Sequence, residues 1–507
     1  VLSPGIQVYV TDYDRQPNGS MGRHIVLPSG GFQFAWTYRF GGNNANRRAY
    51  YNFHYPPSYW LGATAVFIEP SIASGLDHMA DGRALVAATI SSISGYMPAI
   101  AIDAVEGGGV FTPIEIPVPN WLDTILMPQP CVHTDDMYIS GTSSDGLYMI
   151  KSTDEGTTWS NWILVDSTGS HESWADFAGK TALVYEAGTY FETVFCWETT
   201  DNGVTWSADT VFIPTPQDSV VGYVWNSAIY DNNGYLHVVF NCIDTTQAGQ
   251  GGPDFSGCRS QIRHWNQENG QFSIVASGWW TLNPGPGFPH PTVSECQITI
   301  DRVTGTLYST WCQADSGDVA ANGYTNLEIY GAYSTDNGAN WSTPINITNS
   351  QSPGALPGYC ENDCWQSIAE ITHGDTVFIF YMNDKDAGCS VYGQGIPTDN
   401  PMLFYPYSFS VGVEEQNAAL HPSFLLNITP NPAANKITIS YTLLKPGNVS
   451  LKLYSIDGRL VRSIPGIHGE AGCHSERLDL STLANGTYFV ILETPTFERS
   501  SPIIVIH

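Results

Sequence analysis

Ser152-Thr-Asp-Glu-Gly-Thr-Thr-Trp159 returns twice further along the chain, as Thr199-Thr-Asp-Asn-Gly-Val-Thr-Trp206 and Ser334-Thr-Asp-Asn-Gly-Ala-Asn-Trp341. All three read Ser/Thr-x-Asp-x-Gly-x-x-Trp, and a serine (Ser160, Ser207, Ser342) follows each tryptophan. Repetition of this kind sets an architecture before any single residue is interpreted. The residue types are those of a hairpin turn. Asp154, Asp201 and Asp336 can fold a carboxylate back onto backbone N–H groups two residues on. Gly156, Gly203 and Gly338 supply the left-handed residue such a turn needs. Trp159, Trp206 and Trp341 then open the returning strand and bury a large ring against its neighbour. All nine residues are expected to be structural.

A second repeat surrounds the first: an alternating strand, a turn of Gly, Asn or Asp, and a second strand ending in an aromatic residue. It starts at Arg23, Ala228, Gln297 and Ile368, with less regular copies near Ala84, Cys131 and Trp174. These units predict an all-β chain whose first 410 residues form a β-propeller of about seven blades, with six as the alternative. The Ser/Thr-x-Asp-x-Gly motifs fall in the third, fourth and sixth units, where an outer hairpin belongs. The fifth keeps only the turn, at Trp265-Asn-Gln-Glu-Asn-Gly270. This pattern resembles the Asp-box, or BNR repeat, of sialidases and many other propellers. That resemblance implies a fold, with the boxes on outer hairpins away from the ligand face.

Composition agrees. Of 507 residues, 13% are charged and 12% aromatic, with 49 glycines and 32 prolines. Such a chain suits many short strands joined by turns. A net charge of −29, with only 19 Lys and Arg, excludes the basic face that nucleic-acid binding requires. It is compatible with calcium binding or with solubility outside a cell. No apolar run is long enough to span a bilayer. The chain begins at Val1, which reads as an exported protein already processed. Ten cysteines fit an oxidising compartment. Cys242 and Cys258, Cys296 and Cys312, and Cys360 and Cys364 are candidate disulfide partners, with connectivity left open.

Ile6, Val8 and Val10 alternate as in a strand. That strand could close the ring against the last blade or pair with another subunit's edge. Three irregular stretches, residues 245–254, 283–291 and 351–363, are candidates for a binding face. Residues 411–423 read as a linker. From 424 to 507, short strands with turns describe a small antiparallel, Ig-like sandwich. This segment resembles the C-terminal sorting domain of the type IX (Por) bacterial secretion system. The matching residues are Asn431-Pro432, Leu453-Tyr-Ser-Ile-Asp-Gly-Arg459, Gly472, Leu480-Ser-Thr-Leu483 and Asn485-Gly-Thr-Tyr-Phe489. It implies engagement of the secretion machinery and delivery outside the cell or onto its surface.

The sialidase resemblance implies a cluster of three arginines clamping a carboxylate, and a tyrosine nucleophile helped by a glutamate. Arg23 lies where the first arginine would fall, although Gly22-Arg-His-Ile25 lacks the Arg-Ile-Pro motif. For the rest of the clamp the propeller offers Arg39, Arg47, Arg48, Arg83, Arg259, Arg263 and Arg302, most of them early in the chain. Tyr185-Glu186 and Tyr381 are the candidate partners. No Gly-x-Ser-x-Gly elbow, phosphate loop or metalloprotease helix is present. His133-Thr-Asp-Asp136 and Asp231-Asn-Asn-Gly234 could offer calcium oxygen ligands and read more economically as turns. The expected function is a structural or adhesive surface subunit, self-associating through its terminal strands into a filament or layer. The alternative is a sialidase-like hydrolase or a glycan-binding propeller. No catalytic set and no resident metal or cofactor is assigned.

Overall fold

Seven antiparallel sheets follow one another along the chain before a second unit begins. The computed structural model describes residues 2–16, 22–28, 31–56, 58–92, 95–188, 193–214, 219–244, 256–409, 427–429, 431–443, 447–455, 459–469, 472–493 and 498–506. The expected linker at 411–423, the stretch 245–254 and the Asp457-Gly458 turn lie outside the described residues. Two compact units are distinguished, Val1–Glu414 and Glu415–His507. Among the described residues every regular element is a strand except two short 3-10 turns, so the fold is all-β.

Each sheet is a blade whose strands pair in chain order. The third blade runs Leu126–His133, Asp136–Ser143, Gly146–Ser152 and Ile163–Asp166, from the axis outward. The first begins at Ile25–Val26, the second at Ser71–His78 and the fourth at Ser170–Phe177. The fifth, sixth and seventh begin at Val220–Tyr230, Val293–Ile300 and Asn362–Ile368. The seventh blade is completed from the other end of the chain. Ile6–Thr11 pairs antiparallel with Asn400–Ser408, with Ile6 opposite Phe404 and Thr11 opposite Asn400. Its inner edge is thus used within the ring, the first of the two expected pairings. Aromatic rings seal the same seam. Phe32 of the first blade lies 4.7 Å, centroid to centroid, from both Phe378 and Phe404 of the seventh, and Phe34 lies 5.1 Å from Phe380.

The three Asp motifs sit between the third and fourth strands of the third, fourth and sixth blades. Their hydrogen bonds reach four residues forward, where two were expected. Thr158 N donates to Asp154 Oδ1 (2.8 Å), and Gly156 N donates to Ser152 Oγ (2.9 Å). The same bonds recur at Asp201 and at Asp336. The serine or threonine that opens the motif shares the capping, so the carboxylate is released to reach further. Donation by the Thr205 hydroxyl and amide holds the Asp201 carboxyl down at about 2. Each glycine rests on the preceding blade. A Cβ on Gly203 would lie 2.8 Å from the Tyr138 hydroxyl, and one on Gly338 only 2.0 Å from the His264 ring. The tryptophans pack inward, Trp206 against Tyr138 and Trp197, and Trp341 with its Nε1 on Ser273 Oγ (3.0 Å).

The cysteine pairings expected from spacing do not form. None of the nine described cysteines takes part in a disulfide, and all are buried. Cys296 Sγ is turned to the Trp225 carbonyl (3.4 Å), Cys312 Sγ to Glu295 Oε2 (3.0 Å), and Cys360 Sγ to the Ala355 carbonyl (3.7 Å). Cys242, Cys258 and Cys364 are likewise packed in the core. Proximity in sequence did not translate into facing side chains, because these residues serve as small core groups.

One irregularity is repeated around the axis. The innermost strand of each of the last five blades carries a bulge, where pairing with the second strand skips two or three residues. The bulge places a residue other than glycine in the left-handed region: Met127 (φ 54°), His171 (50°), Val224 (60°), Glu295 (57°) and Trp365 (55°). Bulges re-aim side chains, and left-handed backbone at bulky residues is held only where surrounding packing enforces it.

The second unit is a sandwich. Asn427–Thr429, Lys436–Leu443 and Gly472–Asp479 form one sheet, and Leu460–Gly469, Gly447–Ser455, Gly486–Glu493 and Glu498–Val505 the other. Alternate residues Leu451, Leu453, Val490, Leu492, Ile437 and Ile439 make its core.

Candidate functional site

In an antiparallel blade the first and third strands run the same way. The face where the inner strands end therefore carries the three Asp motifs, and the face where they begin carries the long connections. Two arrangements lie along the axis between these faces.

The first is an ion-paired plug. Arg23 Nη2 lies 2.5 Å from Glu370 Oε1 and donates to the Trp174 carbonyl (3.3 Å), while Nη1 is 3.8 Å from Asp77 Oδ1. Burial raises the Glu370 and Asp77 carboxyls, and the Arg23 guanidinium partly offsets that. Beside it, His133 Nδ1 meets Asp176 Oδ2 at 3.3 Å, a bond that raises the imidazole pKa. The axis here encloses a cavity of about 30 Å³, lined by Arg23, Gln129, Trp174, Gln297, Ile298 and Glu370. That admits a water or two, since each needs roughly 10–15 Å³. A drug-sized ligand needs about 300 Å³ or more.

The three-arginine clamp does not assemble. Arg39 Nε is bound to Asp12 (2.7 Å), Arg83 to Asp81 (2.6 Å) and Glu155 (2.8 Å), and Arg259 to Asp244 (3.5 Å). Arg47 donates to the Tyr13 hydroxyl (3.1 Å), Arg48 to the Ala45 carbonyl (3.0 Å), and Arg263 lies over Phe212. Arg302 donates to the Tyr230 carbonyl (2.8 Å) and lies 4.2 Å over Phe177. Tyr185 and Glu186 are neighbours in Lys180–Ala187, so their side chains leave opposite faces of the strand. Tyr185 packs on Phe195, whereas Glu186 Oε2 accepts from Val224 N (2.6 Å) in the next blade. Burial pushes the Glu186 carboxyl well up. Tyr381 is buried, with its hydroxyl on the Pro4 carbonyl. The expected calcium stretches are turns whose carboxylates are engaged. Asp231 Oδ1 accepts from Asn233 N (2.9 Å) and Tyr235 N (2.8 Å), and Asp136 pairs with Lys151 (2.8 Å). Among the described residues no group of three or more His, Cys, Asp or Glu is placed to hold a metal ion.

The second arrangement is the mouth at the bulge level. His290, from the irregular 283–291 stretch, lies flat on Trp225 (5.6 Å, 8°) and edge-on to Trp365 (4.8 Å, 62°). Its Nε2 is 2.6 Å from Glu295 Oε1. Trp365 Nε1 donates to the Asp14 carbonyl (2.7 Å), and the Asp14 carboxylate accepts from Ser390 N. Next to Asp14, Arg15 lies 5.0 Å over the Tyr392 ring, and Phe288 meets that ring at 4.6 Å. His171 completes the arc, its Nδ1 2.9 Å from Ser170 Oγ and its carbonyl accepting from Asn226 Nδ2 (2.6 Å). Burial, then the nearby Arg15 charge, lowers its pKa to about 4. Sequence motifs single out none of these residues. Only Phe288 and His290 fall in a flagged stretch.

The chain is thus an all-β propeller carrying a C-terminal sandwich. Residues 427–506 match the family described as the secretion system C-terminal sorting domain. This assigns export through type IX secretion to the cell surface or extracellular space. Among the described residues no helix is long and apolar enough to cross a membrane. No curated protein sequence matches the chain. Among solved structures it is similar to polysaccharide lyase Uly1, at 10% identity over 76% of this chain and 90% of that one, with a TM-score of 0.45. It is also similar to Trypanosoma rangeli sialidase, at 10% identity over 99% and 89%, with a TM-score of 0.40. The Penicillium chrysogenum alpha-L-arabinanase complexed with arabinobiose gives 11% identity over 65% and 91%, with a TM-score of 0.39.

Proposed function

We propose that this exported propeller is an adhesive module that binds a glycan across the mouth of its axis. The observation that supports it is the exposed Tyr392 ring, with Arg15 over its face and Phe288 beside it, on a buried bed of Trp225, His290 and Trp365 above a closed axis. An exposed aromatic ring suits the apolar face of a sugar, and the Arg23 plug leaves no room to thread a chain. A self-assembling layer or filament would have to use surfaces other than the Asn400–Ser408 edge, which Ile6–Thr11 already occupies. Binding of the intact protein to a panel of bacterial and algal polysaccharides tests the proposal. Tyr392→Ala should weaken binding while leaving the melting temperature unchanged. A correctly folded protein that retains none of the panel would refute it.

A catalytic reading has one specific support, the buried His290–Glu295 pair, the form in which imidazoles are oriented for proton transfer. Under that reading incubation with a bound polysaccharide yields new reducing ends, and His290→Ala abolishes them. A fluorogenic sialoside should stay uncleaved, since no arginine triad faces the mouth.

A further inference from the structure

Arg15 is differently placed from the other arginines of the mouth-side loops. Arg39 and Arg259 each meet a carboxylate and Arg47 the Tyr13 hydroxyl, whereas among the described residues Arg15 has only the face of Tyr392 beneath it. In a chain with 48 Asp and Glu against 19 Lys and Arg, an arginine left this way keeps its donors for something else. A second basic side chain stands near it. His171 is set in a left-handed bulge at φ 50°, and the Arg15 charge opposes its protonation. Two groups that repel each other when both are charged can be held together by an anion between them.

We infer that Arg15 and His171, with Tyr392, form a subsite for the acidic group of a sugar, a carboxylate or a sulfate, at the axis mouth. The inference rests on the glycan-binding reading and names the chemistry that the exposed Tyr392 ring alone leaves open. Guanidinium supplies paired donors in the plane of the anion. Imidazolium adds a third donor, and the exposed Tyr392 ring lies against the sugar.

Among the described residues none of the acidic groups nearby is bonded to Arg15. The Asp14 carboxylate is tied to Ser390 N and Cys389 Sγ, and burial raises its pKa. Glu186, from the second strand of the same blade, is buried on Val224 N and raised as well. Glu172, next in the His171 strand, accepts from Ser140 Oγ (3.1 Å). Glu295 is occupied by His290. A bound anion favours protonated His171, whose pKa in the free protein is about 4, so binding takes up a proton and strengthens as pH falls toward that value.

Calorimetry on the full chain near physiological salt tests this, where exposed charges beyond roughly 8 Å are screened. The probes are tetragalacturonate for carboxylate, a carrageenan tetraose for sulfate, and cellotetraose as the neutral control. At least one acidic probe should bind at least about tenfold more tightly than the neutral one. Arg15→Gln should remove that preference, and Arg15→Lys should retain part of it. His171→Asn, chosen because asparagine tolerates left-handed backbone, should flatten the pH dependence while His290 stays in place. The inference is overturned if acidic and neutral probes bind alike, or if Arg15→Gln leaves the preference intact. Binding of the neutral probe alone overturns it while sparing the glycan-binding reading. Binding of no glycan sinks both.

Discussion

His290 Nε2 lies 2.6 Å from Glu295 Oε1, and both side chains are buried. Glu295 does more than hold this imidazole. Its other oxygen accepts from Cys312 Sγ (3.0 Å) and from Gln366 N (3.1 Å) in the seventh blade. One carboxylate therefore ties a mouth loop, a core thiol and the next blade together. Glu295→Ala should cost roughly 3–5 kcal/mol, the usual penalty for breaking a buried pair. Glu295→Gln retains an acceptor and should cost clearly less. Thermal unfolding of the three proteins ranks them, and an alanine variant as stable as wild type would show the pair to be incidental.

One Asp-motif glycine and one glycine of an inner hairpin separate two causes of strain. Gly338 (φ 81°) and Gly305 (φ 76°) share a left-handed backbone. A Cβ at 338 would overlap the His264 ring, whereas at 305 nothing lies within 4 Å. Gly305→Ala should therefore show only the left-handed penalty, about 1–2 kcal/mol. Gly338→Ala should add about 1–3 kcal/mol of overpacking. Equal melting temperatures for the two variants would mean that the motif does not bear on the preceding blade.

How much of this was legible follows from the same strands. The hairpins at Arg23, Ala228, Gln297 and Ile368 were readable because their alternation is unbroken and their turns carry Gly, Asn or Asp. The inner strands start earlier than that reading allowed, at Val220, Val293 and Asn362. Bulges at residues 223–225, 295–296 and 365–366 break the period of two, and no glycine marks them. Val224, Glu295 and Trp365 hold left-handed backbone through tertiary packing, which leaves no local signal. The mouth was hidden for that reason, because its side chains are aimed by those bulges. Arg23 was located at the axis, but its partners Glu370 and Asp77 come from blades far apart in sequence, so the plug could not be foreseen.

Arg23 predicts a sharp asymmetry between single and triple variants. Arg23→Met leaves the buried Asp77 and the partly buried Glu370 without their cation and should cost up to about 3–5 kcal/mol. Adding Glu370→Leu and Asp77→Leu to Arg23→Met should recover most of that loss, because apolar side chains often replace buried ion pairs at little cost. Denaturant unfolding of the propeller measures both. A triple variant weaker than the single one would mean that the ion pairs contribute net stability.

The ring closure should respond to pH through two buried carboxyls. Ser350 Oγ lies 3.1 Å from Glu328 Oε1 and 2.8 Å from Asp363 Oδ2. Asn383 Nδ2 links Asp363 (2.8 Å) to Ser3 Oγ (2.7 Å), just ahead of the closing strand Ile6–Thr11. Burial raises Asp363 to about 6; burial, then the Asp363 charge, raises Glu328 to about 7. Both folded values exceed the ordinary 3.8 and 4.5, so the folded state holds more protons. Their contribution is complete below about pH 4 and is lost as pH rises through 6 to 7. His24 and His264, lowered by burial to about 4 and about 3, act in the opposite sense. Their contribution is complete above about 6.5 and is lost as pH falls. Hydrogen exchange of the Ile6–Thr11 amides isolates the local effect. Corrected for intrinsic rates, protection should be lower at about pH 8 than at about pH 5.5. Asp363→Asn with Glu328→Gln should remove that difference, because the amides mimic the protonated pair at both pH values. If the wild-type strand is equally protected at both, the carboxyl pair does not govern the closure.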